Sequence, residues 1–310
     1  MDDLITLGRA LRDHAEPGFF ETETHRILVE RFRELDFSIQ EFAGMPGFIA
    51  SVDGKTRNKS LALLADMDGL PTGEAGGYQH SCGHHLQTTA LYGTARSLLN
   101  SAPDLLPGIA FVATPAEEYL DFDRRETLRR RNRIRLFSGK QELIDRGLFE
   151  PFHWVVATHA ARLESDRMVS SVLKMNGFEV LRFTFRGTSA HAGAHPHLGK
   201  NAQNAASLFL QACAFLREEF PEDRHIRIHP VLRLRPDQAV NFIPDLAVVE
   251  SYVRAVDGQT VREIADKLCG AAQGCAPFAV DPQLHDLLRS TALISGSWTS
   301  RPPMCFLLSS

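Results

Sequence analysis

The sequence predicts an α/β protein: a mixed, mostly parallel sheet covered by helices, followed by a smaller α+β part. Residues 61–65, Leu-Ala-Leu-Leu-Ala, are apolar on both sides, as in strands of a sheet that is covered on both faces. Residues 109–113 and 154–158 are further apolar segments of strand length. From residue 177 onward, β-rich segments surround two helical stretches, which indicates an antiparallel sheet with helices on one face.

The predicted elements follow from the spacing of apolar residues and from the turn residues between them. In the first part, Pro17-Gly18 separates two amphipathic helices. The elements of this part are helices over 3–15, 21–36 and 86–99 and strands over 48–52, 60–65, 109–113 and 154–158. Those of the second part are strands over 178–185, 226–234 and 247–253 and helices over 200–217 and 259–272.

Composition narrows the class of protein. A chain of 310 residues has room for two domains, and 44% hydrophobic with 23% charged residues is typical of globular proteins. The formal net charge of −4 gives no reason to expect nucleic acid as a partner. No run approaches the roughly 18 apolar residues that a membrane span needs, so we expect no membrane partner either.

Cysteine use and the first residues bear on the compartment. The five cysteines are odd in number and scattered, which favours a reducing compartment over a disulfide framework. Asp2 and Asp3 open the sequence without the basic and then apolar pattern of a signal peptide. We therefore expect a cytoplasmic protein.

The segment His-Ser-Cys-Gly-His-His at residues 80–85 has the composition of a metal site. Cys82 and His84 can place a thiolate and an imidazole on one small ion, and Gly83 allows the loop between them to fold tightly. These ligand types favour zinc or a similar divalent transition ion over calcium or magnesium. The alternative is that these residues only pack, as many buried Cys and His residues do.

Residues able to bind a metal also follow three predicted strands. Asp66 and Asp68 follow the strand over 60–65, Glu117-Glu118 follow that over 109–113, and His159 follows that over 154–158. In open α/β sheets, ligands bind at these carboxyl ends. Neighbouring side chains on extended backbone point to opposite sides, so one glutamate can bind a metal while the other acts as a base. The alternative for Glu117-Glu118 is a solvated pair of surface acids.

Together these motifs resemble the amidohydrolase branch of the aminoacylase and carboxypeptidase-G-type metallopeptidases, which includes hippurate hydrolase, IAA-amino acid hydrolase and aminobenzoyl-glutamate hydrolase. The matching segments occur in the family's order over about residues 5–256. They are residues 65–71, 80–84, 114–118, 158–159, 185–196 and 241–245.

The resemblance implies a fold and an activity. It implies an α/β catalytic domain with two divalent ions, and an inserted α+β domain that mediates dimerisation and closes over the substrate. The expected boundaries are 1–174 for the first catalytic segment, 175–280 for the inserted domain and 281–310 for a remnant of a second catalytic segment. The implied activity is metal-dependent hydrolysis of an amide bond in an N-acyl amino acid or small peptide-like substrate, by a homodimer.

The resemblance also implies roles for individual residues. The expected ligands of one or two ions, zinc or manganese, are Cys82, His84, Glu118 and His159. Glu117 would be the general base, and Asp66 and Asp68 would accept hydrogen bonds that orient His84. On the inserted domain, His191 and Asn241 would contact the substrate or its transition state. These roles are consistent with the chemistry of amide hydrolysis. A bound divalent ion lowers the pKa of water, and a carboxylate can pass the proton to the leaving amine.

Two stretches depart from the family pattern. Residues 119–150 contain Arg124, Arg125, Arg129, Arg130, Arg131, Arg133 and Arg135. Such a segment can bind an acidic ligand or RNA. The absence of an aromatic ladder favours a solvated, partly helical insertion.

The second departure is at the end of the sequence. His285 is the only late histidine, and it falls in a predicted helical segment rather than at the family's ligand position. We therefore expect a shortened C-terminus, which brings the second metal and the activity into question. The alternative function is a catalytically impaired relative that serves as a metal- or ligand-binding dimeric module.

Overall fold

The computed structural model of the chain describes residues 2–54, 59–73, 76–160, 169–171, 176–276, 288–292 and 304–309. The chain divides into two compact units, Met1–Leu173 with Gly296–Ser310, and Lys174–Ser295. We refer to them as unit 1 and unit 2. No helix of the described residues is long and apolar enough to cross a membrane.

The elements are numbered along the chain. The helices are α1 (Asp2–Asp13), α2 (Thr22–Glu34), α3 (His84–Ser101), α4 (Phe122–Arg130), α5 (Gly139–Asp145), α6 (Ala202–Leu216) and α7 (Gly258–Cys275). The strands are β1 (Ser38–Glu41), β2 (Phe48–Ser51), β3 (Lys59–Asp66), β4 (Leu70–Pro71), β5 (Tyr78–Gln79), β6 (Ile109–Thr114), β7 (Phe152–Ala160), β8 (Val169–Ser171), β9 (Gly177–Arg186), β10 (Arg227–Ile228), β11 (Val231–Arg233), β12 (Leu246–Ala255), β13 (Leu288–Ala292) and β14 (Met304–Ser309).

Unit 1 is built on a mixed sheet with the strand order β1-β2-β6-β3-β7-β14-β8. Strand β3 runs parallel to both β6 and β7, and β14 runs parallel to β7. Strands β1, β2 and β8 pair antiparallel at the two sides. Asp66, at the end of β3, stands opposite Thr114, at the end of β6. The predicted α/β class is therefore confirmed, and the segments that follow β3 and β6 leave the sheet at the same edge.

Helices α1, α2 and α3 pack on strands β2, β3 and β6 through one hydrophobic core. Phe32 of α2 lies at its centre and is fully buried. Its ring contacts the rings of Phe37, Phe48, Tyr92 and Phe111, with centroids 5.6 to 5.9 Å apart. Burying one such side chain is worth roughly 1.5–3 kcal/mol. This packing explains why the apolar residues before position 37 recur at helical spacing.

Unit 2 is an antiparallel sheet with the order β10-β12-β9-β13, and β11 also pairs with β12. Helices α6 and α7 share one core with β9 and β12. Phe209 of α6 packs on Phe183 and Phe185 of β9, with ring centroids 4.6 and 5.9 Å apart. The predicted antiparallel sheet with packed helices is confirmed.

One strand predicted in unit 2 is interrupted in the structure. The sequence favoured a single strand over 226–234, whereas the structure has the short strands β10 and β11. His229 and Pro230 separate them. Proline has no N–H to donate to a neighbouring strand, so the ladder with β12 is interrupted there.

Candidate metal centre

Cys82, His84 and Glu118 come together in unit 1. Each offers one ligand atom, and these atoms lie within 4.8 Å of one another. Gly83 adopts the left-handed conformation, with φ of 77°, and turns the chain directly into α3, whose first residue is His84. Glu118 lies four residues beyond the end of β6. We call Cys82, His84 and Glu118 the ligand cluster.

His84 is oriented by Asp68. Its Nδ1 lies 2.7 Å from the carbonyl oxygen of Asp68 and 3.1 Å from the Oδ1 atom of that residue. Both partners are acceptors, so Nδ1 carries a proton. The Nε2 atom is buried and has no hydrogen-bond partner among the described residues. Nε2 is therefore the nitrogen that can bind an ion, which is the arrangement usual for metal-binding histidines.

The charges around the ligand cluster favour a cation. Burial disfavours the imidazolium of His84, but the hydrogen bond to Asp68 and the charges of Asp66, Asp68 and Glu117 raise the pKa of His84 to about 9. Burial, followed by the hydrogen bond to Glu118, raises the pKa of Cys82 to about 12. Burial also raises the pKa of Glu118. A thiol, an imidazole and a carboxylate that share such a pocket fit a zinc-type divalent ion, which would take the place of these protons.

The Glu117-Glu118 loop is held through its backbone. Ala116 has a φ of 51°, which is rare for a residue with a side chain, and its N–H donates to Oε1 of the fully buried Glu21 at 2.7 Å. The N–H of Glu118 donates to Oδ2 of Asp68 at 2.9 Å, and its carbonyl accepts from the guanidinium of Arg125. These contacts fix the backbone from which the side chains of Glu117 and Glu118 extend.

The two adjacent glutamates occupy different surroundings. The Glu118 carboxylate belongs to the ligand cluster. The Glu117 carboxylate lies with Oε2 at 3.9 Å from Nε2 of His84 and Oε1 at 3.6 Å from Nζ of Lys140. It is about one third exposed, whereas the imidazole of His84 is buried. One glutamate can therefore bind an ion while the other is open to a substrate.

His159 lies outside the ligand cluster. Its side chain is exposed near the carboxyl end of β7. Among the described residues, the side chains that come together as possible ligands are those of Cys82, His84 and Glu118. The role of His159 as a further ligand stays a prediction. His285 falls outside the described residues.

His191 and Asn241 are neighbours on unit 2. The N–H of Ala192 donates to the carbonyl oxygen of Asn241 at 2.8 Å, and His191 forms a β-bridge with Phe242. Nδ1 of His191 accepts from the N–H groups of Gly193 and Ala194, each at 3.1 Å. The ring proton therefore sits on Nε2, and the exposed side chain offers a donor. Their contact with a substrate stays a prediction.

Three residues that contact this site were not predicted from the sequence to belong to it. They are Glu21, Arg125 and Lys140. Nζ of Lys140 lies 2.8 Å from Oδ2 of Asp66, so Asp66 pairs with this lysine, while Asp68 is the residue that hydrogen-bonds His84. Burial opposes the charge of Lys140, but Asp66 and Glu117 outweigh it and raise the lysine pKa. The sequence offers no local signal for these contacts.

Of the seven arginines between positions 124 and 135 of the Arg-rich segment, six are exposed and one is buried. Arg125 is buried and donates to the carbonyl oxygens of Phe137 and Glu118. The other six arginines are exposed. Gly139 lies so close to the end of β6 that a Cβ at this position would clash with the carbonyl oxygen of Pro115. The N–H of Gly139 donates to the carbonyl oxygen of Ala116 at 3.1 Å. The predicted solvated, partly helical insertion is confirmed for its helices and for six of its arginines, but it is wrong for buried residues such as Arg125 and Leu143.

Comparison with known proteins shows what the chain is similar to. Residues 176–273 match the family profile described as the peptidase dimerisation domain. The chain is 24% identical to hippurate hydrolase of Campylobacter jejuni over 86% of its own length and 68% of that protein. It is 26% identical to N-acetyl-L-cysteine deacetylase of Bacillus subtilis over 97% of its length and 68% of that protein. The chain is thus similar to the M20 peptidases, whose dimerisation domain its residues 176–273 match.

A further relative is similar in sequence, and two solved structures are similar in fold. IAA-amino acid hydrolase ILR1-like 5 of Arabidopsis thaliana is 25% identical over 86% of this chain and 60% of its own length. The aminobenzoyl-glutamate utilization protein of Klebsiella pneumoniae superposes with a TM-score of 0.65 at 17% identity, over 95% of this chain and 75% of that one. The YXEP protein of Bacillus subtilis, a dinuclear metal-binding peptidase of the M20 family, superposes with a TM-score of 0.59 at 17% identity. The superposition covers 99% of this chain and 88% of that one.

Proposed function

We propose that this chain hydrolyses the amide bond of an N-acyl amino acid or small peptide-like substrate with the help of a divalent metal ion. The observation that carries the proposal is the ligand cluster of Cys82, His84 and Glu118, with a buried, unpartnered Nε2 on His84 and the Glu117 carboxylate beside it. The relatives that cleave such amides, hippurate hydrolase and N-acetyl-L-cysteine deacetylase among them, support the substrate class.

The ion would be held by the ligand cluster, with His159 as a further ligand; we expect zinc or manganese, one or two ions per chain. When bound, a divalent ion polarises an amide carbonyl and lowers the pKa of water towards 7. Glu117 takes the proton from the attacking water and delivers it to the departing amine. Its partial exposure and its position beside His84 suit a carboxylate that must reach both partners.

On unit 2, we propose that His191 and Asn241 contact the substrate or its transition state. His191 offers the proton on Nε2, and Asn241 lies next to it in space. A donor directed at the developing oxyanion contributes on the order of 3 kcal/mol in other enzymes. We further propose that the peptidase dimerisation domain, residues 176–273, makes the chain a homodimer, and that the enzyme works in the cytoplasm.

The decisive experiment measures metal content and hydrolysis together. The parent chain is loaded with zinc or manganese, assayed by elemental analysis, and tested against a panel of N-acyl amino acids. Cys82→Ala should lower the metal content sharply, whereas Cys269→Ala, which changes a cysteine of unit 2, should retain it. Cleavage of a panel member by the loaded parent supports the proposal.

Two outcomes would contradict it. Equal metal stoichiometry in the parent and in a Cys82→Ala/His84→Ala double variant would remove the ligand cluster from the mechanism. A fully loaded parent that cleaves no amide of the panel would point to the impaired, metal-binding dimeric module instead.

A further inference from the structure

Lys140 is a buried cation at the proposed active site. Its side chain is 13% exposed, and its Nζ lies 2.8 Å from Oδ2 of Asp66 and 3.6 Å from Oε1 of Glu117. Lys140 belongs to the first turn of α5, in the Arg-rich segment, for which the sequence predicts no role in catalysis. It is therefore the residue of this segment that touches the proposed proton carrier.

The two oxygens of Glu117 face different partners. Oε2 is turned towards Nε2 of His84, on the side of the ligand cluster, and Oε1 is turned towards Lys140. A glutamate side chain that reaches into a cleft has several rotamers, and catalysis needs one of them. An ammonium on one side of the carboxylate restricts its rotation and leaves the other oxygen available for a proton.

Asp66 holds Lys140 through an ion pair. Its side chain is 4% exposed and lies within hydrogen-bond distance of Lys140. A lysine is flexible and offers three donors, so a fixed acceptor is needed to hold it in one place. A buried ion pair is weak evidence for stability, since apolar side chains of similar size are often as stable. The pair therefore calls for another reason.

We propose that Lys140 is a positioning residue of the hydrolysis: anchored by Asp66, it holds the Glu117 carboxylate in the orientation that carries the proton. This inference rests on the proposed function. It extends that function by one residue, and it assigns a role in the site to the Arg-rich segment. It also predicts that the metal stays bound when Lys140 is changed, because Lys140 is not one of the three residues of the ligand cluster.

The test separates positioning from charge balance. Four variants are compared with the parent: Lys140→Met, Asp66→Asn, the Asp66→Asn/Lys140→Met double variant, and Arg135→Met as a control. Arg135 lies in the same segment and pairs with Asp145 on the surface, with 77% of its side chain exposed. For each protein, zinc content, the urea midpoint of unfolding, kcat and KM are measured on the best substrate of the panel.

If Lys140 positions Glu117, Lys140→Met retains zinc and lowers kcat about 10²-fold, with KM within about twofold of the parent. It also lowers the urea midpoint, because Asp66 is left buried without its partner. The double variant restores the midpoint but not kcat, and this result stands even if Lys140→Met alone fails to fold. Asp66→Asn, which leaves the contact of Lys140 with Glu117, loses less activity than the double variant, and Arg135→Met matches the parent.

Three outcomes would overturn the assignment. The first is a kcat for Lys140→Met equal to that of the parent. The second is a double variant that regains both stability and kcat, which would reduce Lys140 to charge balance. The third is loss of zinc from Lys140→Met. A loaded parent that cleaves nothing in the panel is a separate result, because it overturns the proposed function and this assignment with it.

Discussion

At the scale of single residues, the site depends on carboxylates that the protein has separated by their surroundings. Glu118 lies in the ligand cluster, while Glu117 lies between His84 and Lys140. Asp68 hydrogen-bonds His84, whereas Asp66 pairs with Lys140. Four acids that look alike in the sequence therefore have four different sets of contacts, and their substitutions should have different effects.

The two glutamates give the first prediction. Glu117→Gln should retain the metal and lower turnover roughly 10²–10⁴-fold, because it removes the proton carrier alone. Glu118→Gln should lose metal and turnover together, because it removes a ligand. Elemental analysis and single-substrate kinetics on both variants check this, and identical behaviour of the two would mean that their roles are misassigned.

Arg125 gives the second prediction. Arg125→Met should lower the free energy of unfolding by about 2 kcal/mol or more, because the carbonyls of Phe137 and Glu118 both lose a donor. Arg131→Met, on an exposed side chain of the same segment, should stay within about 0.5 kcal/mol of the parent. Urea unfolding followed by circular dichroism measures both, and equal midpoints for the two variants would refute the distinction.

At the scale of elements, helix ends decide where the chain turns. Helix α6 is capped by Asn201, whose side-chain oxygen accepts from the N–H of Gln203 at 2.9 Å. Helix α7 is capped by Asp257, which accepts from the N–H of Thr260 at 2.8 Å and from its hydroxyl at 2.9 Å. These caps satisfy N–H groups that have no partner inside the helix.

Asp257 gives the third prediction, which concerns pH. The hydrogen bonds from the backbone and hydroxyl of Thr260 lower the pKa of Asp257 below the usual range of an aspartate. A carboxyl whose pKa is lower in the folded state stabilises the fold above its unfolded pKa, and this contribution disappears as the pH falls through the folded pKa. Asp257→Ala should therefore cost about 1 kcal/mol at pH 7 and less at pH 3.5.

Urea unfolding at the two pH values measures this difference. Asp257→Asn is the matched control, because it keeps a capping oxygen without a titrating proton. The free energy of unfolding of Asp257→Asn should be close to that of the parent at pH 7. The stabilisation that the asparagine cap supplies should not change with pH. A loss for Asp257→Ala that is the same at pH 7 and pH 3.5 would contradict the role of the charge.

At the scale of the whole molecule, the two units carry different parts of the proposed function. Unit 1 contains the ligand cluster and the Glu117-Glu118 loop, and unit 2 contains His191 and Asn241 and matches the peptidase dimerisation domain. The proposed oxyanion donor is His191 of unit 2. The oligomeric state and the contribution of His191 therefore test the whole molecule rather than one site.

The fourth prediction is a dimer whose turnover depends on His191. Sedimentation equilibrium should give twice the chain mass of 34.5 kDa over a range of concentrations. His191→Ala should lower kcat more than it raises KM, because an oxyanion donor acts mainly in the transition state. A monomer, or a His191→Ala variant as active as the parent, would contradict the two-unit mechanism.

The sequence predicted those parts of the site that local patterns encode. Cys82 and His84 are two residues apart, and Glu118 follows an apolar strand, so ligand type and strand order were enough to group them. Lys140 and Glu21 could not be found in this way. Lys140 meets Asp66 across 74 positions, and Glu21 meets Ala116 across 95. Ala116 adopts a positive φ that its residue type does not predict.

Gly139 sets a condition on exchanging the Arg-rich segment between relatives. Any side chain at this position would push the carbonyl of Pro115, and the displacement would pass to the glutamates two and three residues later. A chimera that receives residues 119–150 from another chain can keep this site only if the donor segment also places glycine there. The segment and the strand end must therefore be transplanted as one matched pair.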